Sequence, residues 1–230
     1  MRWLTQTWVL LRKDLLVELR TREIVYSAVL FALVMVTVFM FSGFESAQMA
    51  RGAAPGVLWV CAAFVGALVF GRTFQREREE RALQAVLMVG DVMDALFTAK
   101  LLVNLILMAL VMGVLLPVVT VTFRVTWTDV PQLLAALSLG VGGFVIMGTV
   151  LGAALAAVRL REVLLPIVLY PLCIPLLISG VRATSDLMRP EPQIGGWLGI
   201  MVAFDALFLV LGRWLFQEAV DAVGGSEGET

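Results

Sequence analysis

The chain has 230 residues, 60% of them hydrophobic and 15% charged, with a mean hydropathy of +0.96 and a net charge of −1. A soluble domain carries roughly 25% charged residues, so a water-soluble globule of this size is excluded, and the charge balance gives no pointer to nucleic acid. The absence of histidine removes the commonest metal and haem ligand and the commonest acid–base group at neutral pH. Cys61 and Cys173 each lie in an apolar run, form no CxxC, and read as small buried hydrophobes.

Residues 1–23 open the chain. Arg12, Lys13 and Asp14 interrupt its short apolar stretch, so it reads as a retained segment rather than a cleaved signal. Leu4, Trp8, Leu11, Leu15 and Leu19 fall on one helical face, with Gln6, Lys13 and Arg20 opposite; Val9, Leu10 and Val17 lie off the stripe. An amphipathic helix along the inner leaflet is expected, with Trp3 and Trp8 at headgroup level. Trp8, Lys13, Asp14 and Glu18 are its candidate functional residues. Two roles stay open: a lever touching a partner, or a plain membrane anchor.

A helix needs about 20 apolar residues to cross the hydrocarbon core. The stretches 24–44, 52–71, 101–123, 130–158 and 163–181 hold no charge, and 194–212 holds only Asp205. These runs are continuous rather than alternating, which rejects a transmembrane barrel. The expected fold class is therefore an all-α integral membrane protein with six transmembrane helices. Lys and Arg concentrate on the cytoplasmic side of membrane proteins. Here 13 fall on the side of the two termini and 4 (Arg51, Arg124, Arg182 and Arg189) on the other, which places both termini in the cytoplasm. The expected organisation is an interfacial helix over 1–23, a six-helix domain over 24–218 and a flexible cytoplasmic tail over 219–230.

The segment 72–100 is the one sizeable cytoplasmic connection, and no GxxxxGK[ST] occurs anywhere, so the chain carries no ATPase of its own. It reads as helix, break, helix. Gly90 is placed to end the first helix, and Asp91 to cap a second with Asp94 in its first turn, before Lys100 opens span three. It could be a solvated charged loop with pairs such as Glu77 and Arg81, or a docking site for a soluble motor.

Three further features stand out. Pro166, Pro171 and Pro175 interrupt span five, and each removes a backbone hydrogen bond. A kinked helix facing the bundle is expected, as a bending element of a transport pathway or as a harmless packing detail. Asp205 lies near mid-depth of span six, where a charge costs about 2.5–3.5 kcal/mol to insert, so it is expected to face the bundle, protonated or hydrogen-bonded. The glycines of span four, Gly140, Gly142, Gly143, Gly148 and Gly152, read as ordinary close packing, with a dimer seam as the alternative.

Several stretches resemble the CcmB family, the membrane subunit of the cytochrome c maturation system. They are Lys13-Asp14-Leu15-Leu16-Val17-Glu18-Leu19-Arg20-Thr21-Arg22-Glu23, the Arg-Glu-Arg-Glu core of 74–83, Leu164-Leu165-Pro166 through Pro171 to Pro175, and Ala203-Phe204-Asp205. The resemblance implies a permease of the type-2 ABC exporter class in the bacterial inner membrane. Two copies would pair with two copies of a separate ATP-binding subunit, alongside CcmC, CcmD and the haem chaperone CcmE. ATP and haem would reside on those partners, with no cofactor, metal or catalytic residue on this chain. Arg76, Glu77, Glu79, Asp91 and Asp94 would lie at the ATPase contact, and the N-terminal segment would be the family's connecting helix. With no histidine for an axial ligand and methionines scattered, a mechanical role is favoured over haem handling. Two rival readings are a type-2 exporter subunit for a lipid or amphipathic small molecule, and a passive scaffold. An intramembrane enzyme is weakest, since HExxH, GxSxG and paired intramembrane acids are all missing.

Overall fold

In lipid no water satisfies the backbone, so an apolar run must close its own hydrogen bonds as a helix. The structure, a computed structural model, describes residues 2–79, 93–155, 158 and 160–225, with side chains described except at 2, 74–79, 93, 161–162 and 216–225. Among the described residues the regular structure is all helix: α1 (Arg2–Thr21), α2 (Glu23–Met40), α3 (Ala47–Glu79), α4 (Met93–Thr122), α5 (Val130–Ala154), α6 (Arg161–Asp186) and α7 (Gly195–Gly225). Helices α2 to α7 are the 6 that are long and apolar enough to cross a membrane. The chain is an integral membrane protein of six spans.

The boundaries follow local chemistry. A single residue, Arg22, joins α1 to α2 in the left-handed region at φ 52°, ψ 16°. Its N–H still donates to the Glu18 carbonyl at 2.6 Å. The first span stops at Met40, short of the expected 44, because the chain turns through Phe41 and then Gly43 at φ 82°, a conformation glycine adopts without steric cost. Asp129 caps α5 by accepting from the Gln132 N–H at 3.0 Å, with Pro131 in the first turn where its missing N–H costs nothing. The fourth span ends at Ala154 rather than 158: Leu155 closes the helix and an apolar turn bonds Val158 N–H to the Leu155 carbonyl at 3.0 Å. Composition could not mark that end, since the turn is as apolar as the helix.

Only the two ends of the 72–100 segment, expected as helix, break, helix, fall among the described residues. Its beginning is the continuation of α3 to Glu79, and its end is the first turns of α4, which runs unbroken from Met93 through Lys100 into the span. The expected break at Gly90, the Asp91 cap and the Glu77–Arg81 pair lie outside the described residues, as does the end of the tail beyond 225.

Helix α5 is the central element, buried along most of its length against α4, α6 and α7, whereas α2 and α7 expose apolar residues such as Leu30, Val38, Leu207 and Val210. In an integral membrane protein that exposed surface is solvated by lipid tails. The glycines of α5 pack within the chain. A side chain at Gly140 would collide with the Trp59 ring, and one at Gly148 with Phe70. Small residues let large aromatics sit between helices where no hydrophobic effect drives them together. Trp59 is then pinned by its Nε1–H donating to Thr184 Oγ1 at 3.2 Å.

Candidate functional site

The seven helices bring the C-terminus of α1, the N-termini of α2 and α4, and the later turns of α3 and α7 to one end of the bundle. Helix α1 presents two faces there. Part of its apolar stripe looks outward: Leu4, Trp8 and Leu19 are each more than 60% exposed, as is expected of a face against lipid, while Leu11 is buried and Leu15 packs against the core. The adjacent face, with Thr7, Leu11, Asp14 and Glu18, packs inward against α4 and α2. The lipid-facing stripe and the protein-facing surface are thus neighbouring rather than identical.

Two acids on that inward face make the contacts. Asp14 Oδ2 accepts from Lys100 Nζ at 2.6 Å, and the Lys100 side chain is only 2% exposed. Lys13 lies 3.9 Å from Asp14 and is more exposed. Glu18 Oε1 accepts from the Val25 N–H at 3.1 Å, which satisfies a backbone donor that the start of α2 cannot pair internally. Glu18 therefore braces the Arg22 elbow from inside, across both helices.

Two more ties close this end. Arg72 of α3 reaches Glu23 at 3.5 Å and Ser27 Oγ at 3.1 Å on α2. Arg213 of α7 grips Asp94 of α4 with two nitrogens, its Nε donating at 2.7 Å. The first two turns of α4 thus hold α1 through Lys100 and α7 through Asp94. One turn deeper, Asn104 Nδ2 donates to Thr149 Oγ1 of α5 at 3.0 Å. Lys100 and Asn104 are spaced i, i+4 on the face that continues into Met108 and Leu115, all fully buried.

The expected partner-contact residues divide accordingly. Arg76, Glu77 and Glu79 lie on the last turns of α3, with their side chains outside the described residues, and Asp91 is outside them altogether. Asp94 is committed to Arg213. Of the α1 candidates, Trp8 points to lipid, while Asp14 and Glu18 turn inward. Lys100 and Asn104 were missed by sequence reasoning. The signal available was a polar residue one turn into an otherwise apolar span, on the same face as a lysine.

The prolines correct an expectation. Helix α6 is continuous through Pro166, Pro171 and Pro175, and Pro171 and Pro175 are exposed rather than turned to the bundle. The inward seam of α6 is Leu165, Leu169, Cys173 and Leu176, which puts the two prolines on the opposite side. Asp205 does turn to the bundle: its Oδ1 is buried against Gly143 of α5, beside Leu176 and Phe204, and finds no hydrogen-bond partner among the described residues. Among those residues no group of three or more His, Cys, Asp or Glu could hold a metal ion.

The chain matches the family model described as "CcmB protein" over residues 5–222. It is 26% identical over 210 residues to "Heme exporter protein B" of Bradyrhizobium diazoefficiens, covering 91% of this chain and 94% of that one. The protein of the same name from Pseudomonas aeruginosa is 26% identical over 197 residues, 85% of this chain and 88% of that one. For Paracoccus denitrificans the figures are 27% over 157 residues, 68% and 72%. The match takes in both α1 with its inward acids and the α4 and α7 turns tied to them, and on it this six-span membrane chain belongs to the CcmB family.

Proposed function

We propose that this chain is the permease subunit of an ABC transporter complex in the bacterial inner membrane that serves cytochrome c maturation, coupling ATP hydrolysis on a separate subunit to release of the haem-loaded chaperone. The name "Heme exporter protein B" carried by its relatives supports the process. The observation that supports the coupling is the pair of ties on α4. A displacement of the start of α4 would reach α1 through Lys100–Asp14 and α7 through Asp94–Arg213. Two conformations with different contacts to a partner are what a motor-driven subunit needs, and a hub that joins three helices at one end is a way to switch them together.

In this reading the chain is non-catalytic. It works as one of two copies, with an ATP-binding subunit docked near Arg76, Glu77, Glu79 and Asp91, and with CcmC, CcmD and CcmE as further partners; ATP and haem reside on those partners. Asp94, the remaining contact residue, also ties α4 to α7 through Arg213. The excess of Lys and Arg at the α1 end supports a cytoplasmic setting for that end.

The test is co-purification of the tagged chain in mild detergent, followed by mass spectrometry and an ATPase assay. The expected result is recovery of an ATP-binding subunit and CcmC with the wild type, and loss of the ATP-binding subunit on Glu77→Lys with Glu79→Lys. If no ATPase ever co-purifies, the permease reading fails and a six-span scaffold is the better account.

A further inference from the structure

At the end of the bundle away from the ion pairs, α3 and α6 part on their outer side. Between them runs a groove of about 500 Å³, walled by Trp59, Val60 and Phe64 on α3 and by Tyr170, Ile178 and Arg182 on α6. Val60, Phe64 and Ile178 are exposed, so the groove opens sideways toward lipid. The Phe64 and Tyr170 rings, 5.4 Å apart, close its deep end. Arg182 stands at the other end, one turn before α6 stops at Asp186.

Arg182 is the single charge on the groove wall. It is exposed and makes no ion pair among the described residues. Asp186, the acid one turn on, is already engaged by Arg189 at 3.0 Å and Trp197 Nε1 at 3.3 Å. An unpaired guanidinium at the mouth of an apolar slot is a receptor for a phosphate that carries a hydrocarbon tail.

The dimensions choose between occupants. From Tyr170 to Arg182 the helix rises about 18 Å, a little over half of the roughly 30 Å hydrocarbon core. The groove thus spans one leaflet, from its interface to near the midplane. A partner's transmembrane helix would need a contact running the full core of roughly 30 Å, whereas the groove ends near the midplane. A single acyl chain is narrower and matches the length of a leaflet.

We infer that the α3–α6 groove binds one anionic phospholipid of the outer leaflet, an acyl chain lying between Trp59 and Ile178 and the phosphate on Arg182. The site is separate from the ion-paired end and stands whether or not the coupling role holds.

The test uses the full-length chain in mild detergent, with whatever subunits co-purify, titrated with phosphatidylglycerol or phosphatidylcholine and read by native mass spectrometry. Wild type should retain about one phosphatidylglycerol per chain, at least fivefold over phosphatidylcholine. Arg182→Gln should erase that preference and Arg182→Lys should keep it. Val60→Trp, which fills the groove from an already exposed position, should lose both lipids; Ile178→Trp serves the same purpose if Val60→Trp fails to fold by circular dichroism. Equal phosphatidylglycerol retention in wild type and Arg182→Gln would overturn the assignment. So would groove-filling variants that hold lipid normally but lose dimer, since the groove would then be the seat of a second copy.

Discussion

The two ends of the bundle are fastened by different chemistry. At the α1 end, ion pairs cross between helices: Asp14 to Lys100, Glu23 to Arg72, Asp94 to Arg213. At the far end the ties are neutral or local. Thr128 donates to the Leu187 carbonyl through both its N–H at 2.9 Å and its hydroxyl at 2.8 Å, Trp127 donates to Thr120 at 2.9 Å, and the one ion pair there among the described residues, Arg189 with Asp186, sits within a single loop. Charge pairs reach across long side chains and can break and reform as helices shift, whereas bonds to a backbone carbonyl fix a distance. On the proposed coupling role, the difference suits the α1 end to movement and the other end to a fixed frame.

The comparison can be broken most forcefully at Lys100. Lys100→Met leaves Asp14, in a nearly buried site, with only the more exposed Lys13 at 3.9 Å, and should cost up to about 3–5 kcal/mol, read as a large fall in thermal midpoint in detergent. The double variant Asp14→Leu with Lys100→Met should recover most of that stability, because two apolar groups replace the pair, yet fail to support cytochrome c maturation in cells. Full function in the double variant would show the tie to be structural only. On the frame side, Gly140→Ala drives a methyl into the Trp59 ring and should cost about 1–3 kcal/mol. Its thermal shift should appear in the chain alone and should not depend on the motor being present. Thr128→Val removes one hydroxyl bond to Leu187 and should cost about 1 kcal/mol, in the same melt. Smallest is Arg213→Gln: this pair is partly exposed, 61% for the arginine, so its loss should lower the thermal midpoint only slightly, by an amount that shrinks as salt rises. A salt-independent effect as large as that of Lys100→Met would reverse the ranking.

Much of the fold was legible because lipid makes the rules strict. Charge-free runs gave six helices and their order, since no other backbone arrangement survives in those runs. The ends were less legible where composition does not change. Nothing in the residues after Ala154 distinguishes helix from turn, while Gly43 marks its turn by an unusual dihedral. The α1 stripe was read from leucine and tryptophan spacing; Leu4, Trp8 and Leu19 do face outward, while Leu11 is buried and Leu15 packs against the core. Its protein-facing side was not read, because two acids in a membrane-surface helix look like solvated charge until Lys100 and the Val25 N–H are seen beside them. For span five the prolines were expected to face the bundle, yet Pro171 and Pro175 are exposed, because a proline's missing donor does not say which way its ring points. Asp205 was placed correctly toward the bundle by cost alone, but no sequence pattern predicts that its neighbour there is a glycine backbone.

The one-residue elbow at Arg22 has a consequence for how the chain can change in length. Glu18 fixes the phase of α1 against α2, and Asp14, one turn earlier on the same face, fixes it against α4. Inserting or deleting a single residue between them turns one anchor by about 100° relative to the other, so both cannot be met. Before Asp14 the phase is held by the packing of Thr7 and Leu11. The N-terminal segment is therefore divided at that residue into a stretch fixed by packing, and a stretch from Asp14 to Val25 whose length is also fixed by two polar anchors.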